Sequence, residues 1–172
     1  MADHIAPLII NPDHFLKTDA GRVWTPERSK DAWQQCFATL ERVLKERPPR
    51  QAVVIVCGLQ GAGKSSWIAQ QKSRENVIYF DAALPCARHR QPIIDIARTN
   101  GAVVEAVWIK VPLSVALTRN LMRNDDERVP ETSIRSVAAL FEAPGLAEGF
   151  ERIHVVDAEP ISGAADGTEV EK

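Results

Sequence analysis

Gly58-Leu59-Gln60-Gly61-Ala62-Gly63-Lys64-Ser65 follows the apolar run Ala52-Val53-Val54-Ile55-Val56-Cys57 and opens a helical stretch from Ser65 to Gln71. Strand, glycine-rich loop and helix in that order predict a phosphate-binding loop. The glycines let the backbone curl so that successive N–H groups point inward at a phosphate. The helix N-terminus adds partial positive charge. In such a loop Lys64 bridges the β- and γ-phosphates, and the Ser65 hydroxyl is placed to hold Mg²⁺. A nucleoside triphosphate is the expected ligand, cradled by Gly58, Gln60, Gly61, Ala62, Gly63, Lys64, Ser65 and Ser66.

Outward from the loop, strand-like and helix-like patterns alternate. Towards the N-terminus, Leu8-Ile9-Ile10 is a short apolar run ending at Asn11-Pro12-Asp13. Thr25-Pro26-Glu27 reads as a helix start, with Thr as N-cap and Pro in the first turn. Trp33, Phe37, Leu40 and Leu44 then recur at helical spacing until Pro48-Pro49. Towards the C-terminus, Val77-Ile78-Tyr79-Phe80-Asp81 has the look of a buried parallel strand closed by a carboxylate. A helix over 87–99, a strand over 103–111, helices starting at Pro112 and at Val129-Pro130-Glu131, and a strand over 152–156 complete the order. Helix inward positions include Ile93, Ile96 and Ala97 in the first, Leu113, Ala116, Leu117 and Leu121 in the second, and Ile134, Val137, Leu140 and Phe141 in the third.

This alternation predicts an α/β fold: a parallel sheet of about five strands with helices on both faces, of the phosphate-loop NTPase type. Ligands in such sheets bind at the carboxyl ends of the strands, where the glycine-rich loop, Asp13 and Asp81 all fall. The chain of 172 residues is long enough for one core. The domain is expected over 1–159, with 1–50 as an N-terminal strand and helix unit and 160–172 as a disordered tail of Gly, Ala, Ser and acids. Cys36, Cys57 and Cys86 have no CxxC spacing, and read as reduced thiols of a cytoplasmic protein. His4, His14, His89 and His154 lack metal-ligand spacing, so no structural zinc is expected. No apolar run approaches the ~20 residues of a membrane span. A net charge of −2 argues against a long nucleic-acid footprint, though not against gripping one terminal nucleotide.

Phosphoryl transfer needs charge compensation, a metal and an aligned acceptor. Arg119 and Arg123 are spaced four apart, hence expected on one helical face, where guanidinium groups can fork onto phosphate oxygens. The polar stretch Asn124-Asp125-Asp126-Glu127-Arg128 reads as a mobile lid, with Arg128 a further phosphate contact. A solvated basic helix face is the plainer alternative for this pair. Asp81 suits Mg²⁺, with Ser65, or the acceptor; a helix N-cap or strand-end turn is its structural alternative. Trp24 and Trp67 fit either a base-stacking platform or ordinary packing, whereas Trp33 and Trp108 read as core. Arg88 and Arg90 either face the acceptor or form a solvated helix start.

Between Val53 and Val156 the chain resembles the kinase domain of 5′-polynucleotide kinases and their small phosphate-loop relatives. The likeness is carried by Val77 to Arg90, by Gly101 to Arg123 with Arg119-Asn120 and Arg123 on the family's lid arginines, by Arg128-Val129-Pro130, and by Phe141-Glu142-Ala143-Pro144-Gly145-Leu146-Ala147-Glu148-Gly149-Phe150. The resemblance implies ATP and Mg²⁺ as cofactors and a catalytic set of Lys64, Asp81, Arg119 and Arg123 with a carboxylate general base. It implies transfer of the γ-phosphate to the 5′-hydroxyl of RNA or DNA.

One departure stands out. The family's base-bearing strand and helix follow the phosphate-loop helix, but here Lys72-Ser73-Arg74-Glu75-Asn76 leads directly to the strand at Val77. The N-terminal segment has the missing pieces: Leu8 to Ile10, the Asn-x-Asp of Asn11-Pro12-Asp13, and a helix containing Ala32 to Lys45 that resembles the family's. A relocated unit would make Asp13 the general base, with strand order in space unchanged. Otherwise Asp13 is a turn residue and Asp81 moves the proton. The family's Arg just after the base is unmatched, and Arg22 is the candidate substitute. Two other functions stay open: a small-molecule or nucleotide-sugar kinase of the zeta-toxin-like kind, and a non-catalytic ATP-binding regulator.

Overall fold

The computed structural model describes residues 7–47, 49–72, 74 and 76–157. The tail expected to be disordered, 160–172, lies outside the described residues, as do Pro48 and the last residues of the 1–159 domain.

Five strands, β1 (Leu8–Ile10), β4 (Ala52–Cys57), β5 (Val77–Asp81), β6 (Val103–Lys110) and β7 (Arg152–Asp157), form one sheet in the order β1-β5-β4-β6-β7. Every pairing is parallel. A small antiparallel hairpin, β2 (Lys17–Thr18) and β3 (Gly21–Arg22), stands apart from it. The central strand β4 is apolar almost throughout because a parallel strand covered on both faces has no solvent side. Val53 to Cys57 are buried.

Helices cover both faces. Cys36, Leu40, Val43 and Leu44 of α1 (Pro26–Glu46) and Ile93, Ile94 and Ala97 of α3 (Ala87–Thr99) pack on the face of Val53, Ile55, Ile78 and Phe80. The opposite face, with Val54, Val56, Tyr79 and Val107, takes Ile68 of α2 (Lys64–Ala69), Ala116 of α4 (Leu113–Leu121) and Ile134 of α5 (Glu131–Leu140). Alternate residues of one strand therefore serve two cores, as the period-two geometry of a strand requires. α1 starts as its sequence dictates: the Thr25 side chain accepts from the Arg28 N–H and Pro26 occupies the first turn.

Two expected core positions are outside. Leu121 and Leu140 are 67% and 52% exposed, because each is the last residue of its helix, where the chain turns away from the sheet. The helix after the glycine-rich loop, α2, is also shorter than expected, ending at Ala69.

The placement of β1 decides the site. It pairs with β5 in the register Leu8↔Ile78, Ile9↔Tyr79, Ile10↔Phe80. The next residue on each strand is Asn11 on one side and Asp81 on the other. Register alone brings the N-terminal Asn-Pro-Asp segment to the carboxyl edge of the sheet, beside the glycine-rich loop.

Candidate functional site

The loop between β4 and α2 is held by close approach of backbone to backbone. A Cβ added at Gly58 would stand 2.5 Å from the Ile109 carbonyl oxygen, and one at Gly61 would stand 2.4 Å from that of Ala116. Gly61 and Gly63 also have φ of 85° and 100°, a region that side chains with a Cβ avoid. Lys64 is buried at the start of α2, and its ammonium donates to the carbonyls of Gly58 at 3.1 Å and Leu59 at 3.0 Å. Burial pushes its pKa below the ordinary lysine value, and the Asp81 carboxylate works in the opposite direction.

Asp81, 2% exposed, is the anchor of the site. Its Oδ2 accepts from the Ser65 hydroxyl at 2.6 Å and from Asn11 Nδ2 at 3.2 Å. It caps no helix: α3 begins after Cys86. A hydroxyl and a carboxylate, both hard oxygen donors, form a set that suits Mg²⁺. The glycine cradle, the buried cation and this oxygen pair all fit a phosphate group carrying that metal.

Asn11, in sequence only a member of the Asn-x-Asp motif, joins the two acids. While its amide nitrogen donates to Asp81, its Oδ1 accepts from the backbone N–H of Asp13 at 2.8 Å. Asp13 thus lies in the first turn of a short 3₁₀ helix, Pro12–Phe15, capped by Asn11, with its carboxylate half-exposed. Arg22 Nη1 pairs with Asp13 Oδ1 at 3.0 Å. The same guanidinium donates to the carbonyls of Asp126 and Glu127 at 3.3 and 3.4 Å. The β2–β3 hairpin therefore links Asp13 to the loop after α4.

The arginines are distributed differently from expectation. Arg119 lies in α4, and its Nη1 donates to the Ala62 carbonyl at 2.9 Å, against the glycine-rich loop. Arg123 lies beyond the helix, which closes with tight turns from Met122 N to Arg119 O and from Arg123 N to Asn120 O. The two therefore do not share a helical face. Arg123 nevertheless lines the cleft with Lys64 and Arg128. Arg128 donates to the carbonyls of Leu121 and Arg123 and pairs with Asp125. Asn120, 3% exposed, exchanges two hydrogen bonds with the Val129 backbone, at 2.7 and 3.0 Å, and so staples both ends of the 121–128 loop. A polar side chain kept inside in this way has partners to hold.

Arg90 neither faces an acceptor nor lies in solvent. Fully buried, it binds both Glu148 oxygens at 2.8 Å and the carbonyls of Leu84 and Glu142 at 2.9 and 3.1 Å. The segment from Phe141 to Phe150 is thereby clasped to the loop after Asp81. Glu142 N donates to the Pro85 carbonyl at 2.6 Å, which closes the same clasp.

These groups converge on a cleft of about 690 Å³ at the carboxyl edge of the sheet. Gln60, Gly63, Lys64, Ser65 and Ser66 form one side, and Asn11, Asp13, Arg22 and Trp24 the other, with Asp81 between them. Gly58, Gly61, Ala62 and Arg119 support the loop from outside the cleft lining. Trp67 sits edge-on to Tyr79 in a core contact, and Trp33 and Trp108 stack on Phe80 and Phe141.

The architecture is that of an α/β protein with a helix-flanked parallel sheet, compatible with a phosphate-loop NTPase-like fold. Comparison with models of known protein families and with curated proteins finds no match to this chain. Among the described residues no helix is long and apolar enough to cross a membrane.

Proposed function

We propose that this chain is an ATP-dependent phosphotransferase that moves the γ-phosphate to a hydroxyl acceptor, the 5′-hydroxyl of an RNA or DNA end. The observation that carries the proposal is the division of labour between two acids. Asp81 is buried and bound by Ser65 and Asn11, which suits a metal-holding role. Asp13 is half-exposed to the same cleft, which suits proton transfer. A purely nucleotide-binding regulator has no need of the second carboxylate.

In the proposed reaction the glycine-rich loop and Lys64 hold the β- and γ-phosphates, and Arg123 and Arg128 offset the charge that develops on the transferred group. Ser65 with Asp81 would hold Mg²⁺, which would supply further charge neutralisation. Asp13 accepts the proton of the acceptor hydroxyl. The acceptor oxygen bonds to the γ-phosphorus as the bond from that phosphorus to the bridging oxygen breaks, releasing ADP. The polynucleotide acceptor rests on the family resemblance in the arginine and Phe141–Phe150 segments. A small hydroxylated acceptor is the second reading. The cleft's four bases (Arg22, Lys64, Arg123, Arg128) are balanced by its four acids (Asp13, Asp81, Asp125, Asp126), leaving no excess cation for a long phosphate track.

The test is transfer of labelled γ-phosphate from ATP-Mg²⁺ to 5′-hydroxyl RNA and DNA oligonucleotides and to nucleosides, beside Lys64→Ala. Labelling that vanishes in the variant is the expected result. ATP binding without transfer to any of these acceptors would sink the proposal.

A further inference from the structure

Trp24 stands out among the four tryptophans of the chain. Trp33, Trp67 and Trp108 each pack against another aromatic ring. Trp24 has no such partner among the described residues, is 62% exposed, and lines the cleft. It belongs to neither core cluster, so the fold gains little from a large ring at this position. A tryptophan left in water costs solvation free energy, and an exposed aromatic inside a cleft is a surface suited to a ligand.

Its neighbours say which part of a ligand. Two residues earlier, Arg22 holds Asp13 at 3.0 Å. Val23 N donates to the Leu16 carbonyl at 3.0 Å, which fixes the strand end carrying Trp24 beside the Asp13 turn. Thr25, immediately after, is the N-cap of α1. The ring is therefore set on rigid backbone at the Asp13 end of the cleft. The cations beside it are both engaged: Arg22 by Asp13 and by the carbonyls of Asp126 and Glu127, and Arg28 by the carbonyls of Val23 and Leu16.

We propose that Trp24 is the platform on which the acceptor's nucleobase stacks, so that the acceptor is a nucleoside or the first nucleotide of a 5′-hydroxyl end, held by its ring and not by a phosphate track. This inference rests on the proposed phosphotransfer only for the word acceptor. A flat ring with a π-face meets Trp24 whatever its sequence identity, and stacking of this kind tolerates any base. The even balance of bases and acids lining the cleft sets the second half of the claim: binding that uses at most one phosphate contact weakens little with salt.

The experiment titrates the full chain, with ADP-Mg²⁺ present, with adenosine, with a 5′-hydroxyl RNA tetramer, and with the same tetramer lacking its first base. Tryptophan fluorescence and acceptor KM are the readouts. Quenching by a base-bearing ligand, absent with the abasic tetramer and absent in Trp24→Phe, is expected. Trp24→Phe keeps a ring and retains acceptor affinity, whereas Trp24→Ala raises the acceptor KM about fivefold or more while KM for ATP stays put. Quenching by adenosine identifies a free nucleoside as sufficient, and quenching by the tetramer alone identifies a nucleic-acid end. The log–log salt slope for tetramer binding should be no steeper than about −0.7, one single-strand phosphate contact. Equal affinity of Trp24→Ala and the parent, or quenching by ATP-Mg²⁺ that base-bearing acceptors do not add to, would overturn the platform. Because the titration needs no turnover, a chain that stacks a base at Trp24 but transfers no phosphate would refute the phosphotransfer alone.

Discussion

Replacing Glu148 by alanine should be among the most damaging single changes outside the cleft. Arg90 is 0% exposed and Glu148 is 12% exposed on its side chain. Their two hydrogen bonds, both 2.8 Å, are a parallel fork between guanidinium and carboxylate. The substitution leaves a buried positive charge with two backbone carbonyls for company and frees the Gly145 N–H, which Glu148 Oε1 accepts at 2.9 Å. Breaking a buried pair from one side costs about 3–5 kcal/mol, because the orphaned charge stays desolvated. That is a large part of the roughly 5–15 kcal/mol that holds a domain folded. With a urea slope of about 2 kcal/mol per molar, the denaturation midpoint should fall by about 1.5–2.5 M. A fall under about 0.5 M would refute the argument, since the pair would then be exchanging with water like a surface bridge. Acid gives a second check. Partial burial alone would raise the Glu148 pKa, but the Arg90 hydrogen bonds and charge, with the Gly145 amide, hold it below the ordinary 4.5. A depressed carboxylate stabilises the fold above its unfolded value and loses that contribution as pH falls through the lower folded value. The parent should therefore lose stability below about pH 4.5 more steeply than Glu148→Ala, measured by urea midpoints across that range.

Three other outcomes follow from the cleft. Asp13→Asn should lower the transfer rate by about 10²–10⁴ with ATP affinity unchanged, the range for loss of a general base; a rate within about fivefold of the parent in single-turnover kinetics would return the proton step to Asp81. Asp81→Asn should instead raise the Mg²⁺ concentration needed for ATP binding, read by titrating the metal at fixed nucleotide, and an unchanged metal requirement would contradict the Ser65–Asp81 pair as its seat. Gly61→Ala, with φ of 85° and a Cβ set 2.4 Å from the Ala116 carbonyl, must displace the loop. Gly101→Ala, at φ of 74° with nothing within 4 Å, is the control for backbone strain alone. Calorimetric ATP titration should show about tenfold or greater weakening for the first and no change for the second.

The glycine-rich loop, the four longer strands and the start of α1 are legible because each is a local pattern: apolar run, glycine spacing, Thr-Pro-Glu. Parallel strand order is not, since β1 can be placed beside β5 only through pairing across about seventy residues, between Asn11 and Asp81. Arg90 was misread for a related reason. An arginine near a helix start looks solvated in sequence, and its carboxylate partner lies 58 residues away. Arg123 failed on a boundary: extending α4 by two residues put it on a helical face that the chain has already left. Asn11 and Asn120 are legible only as members of motifs, because an amide carries no charge signal; that each connects two segments of the site is set by tertiary structure.

The clasp around Arg90 also bears on the cleft. Asp81 is followed by Ala82 and Ala83, which line the cleft, and by Leu84 at φ of 49°. A left-handed leucine is a strained conformer that persists only where its surroundings over-determine it. Arg90 provides that restraint by binding the Leu84 carbonyl, and Glu148 holds Arg90 in place. On the other side Asn11 binds the Asp81 carboxylate and the Asp13 backbone together. The acid at the centre of the cleft is thus positioned by two segments far away in the chain, one near each terminus. Neither segment needs a particular place in chain order to do so. β1 needs only parallel register with β5, and the Phe141–Phe150 segment needs only its carboxylate at Arg90. Because the geometry depends on pairing and not on connection, β1 can precede the glycine-rich loop and still deliver Asp13 to the carboxyl edge of the sheet.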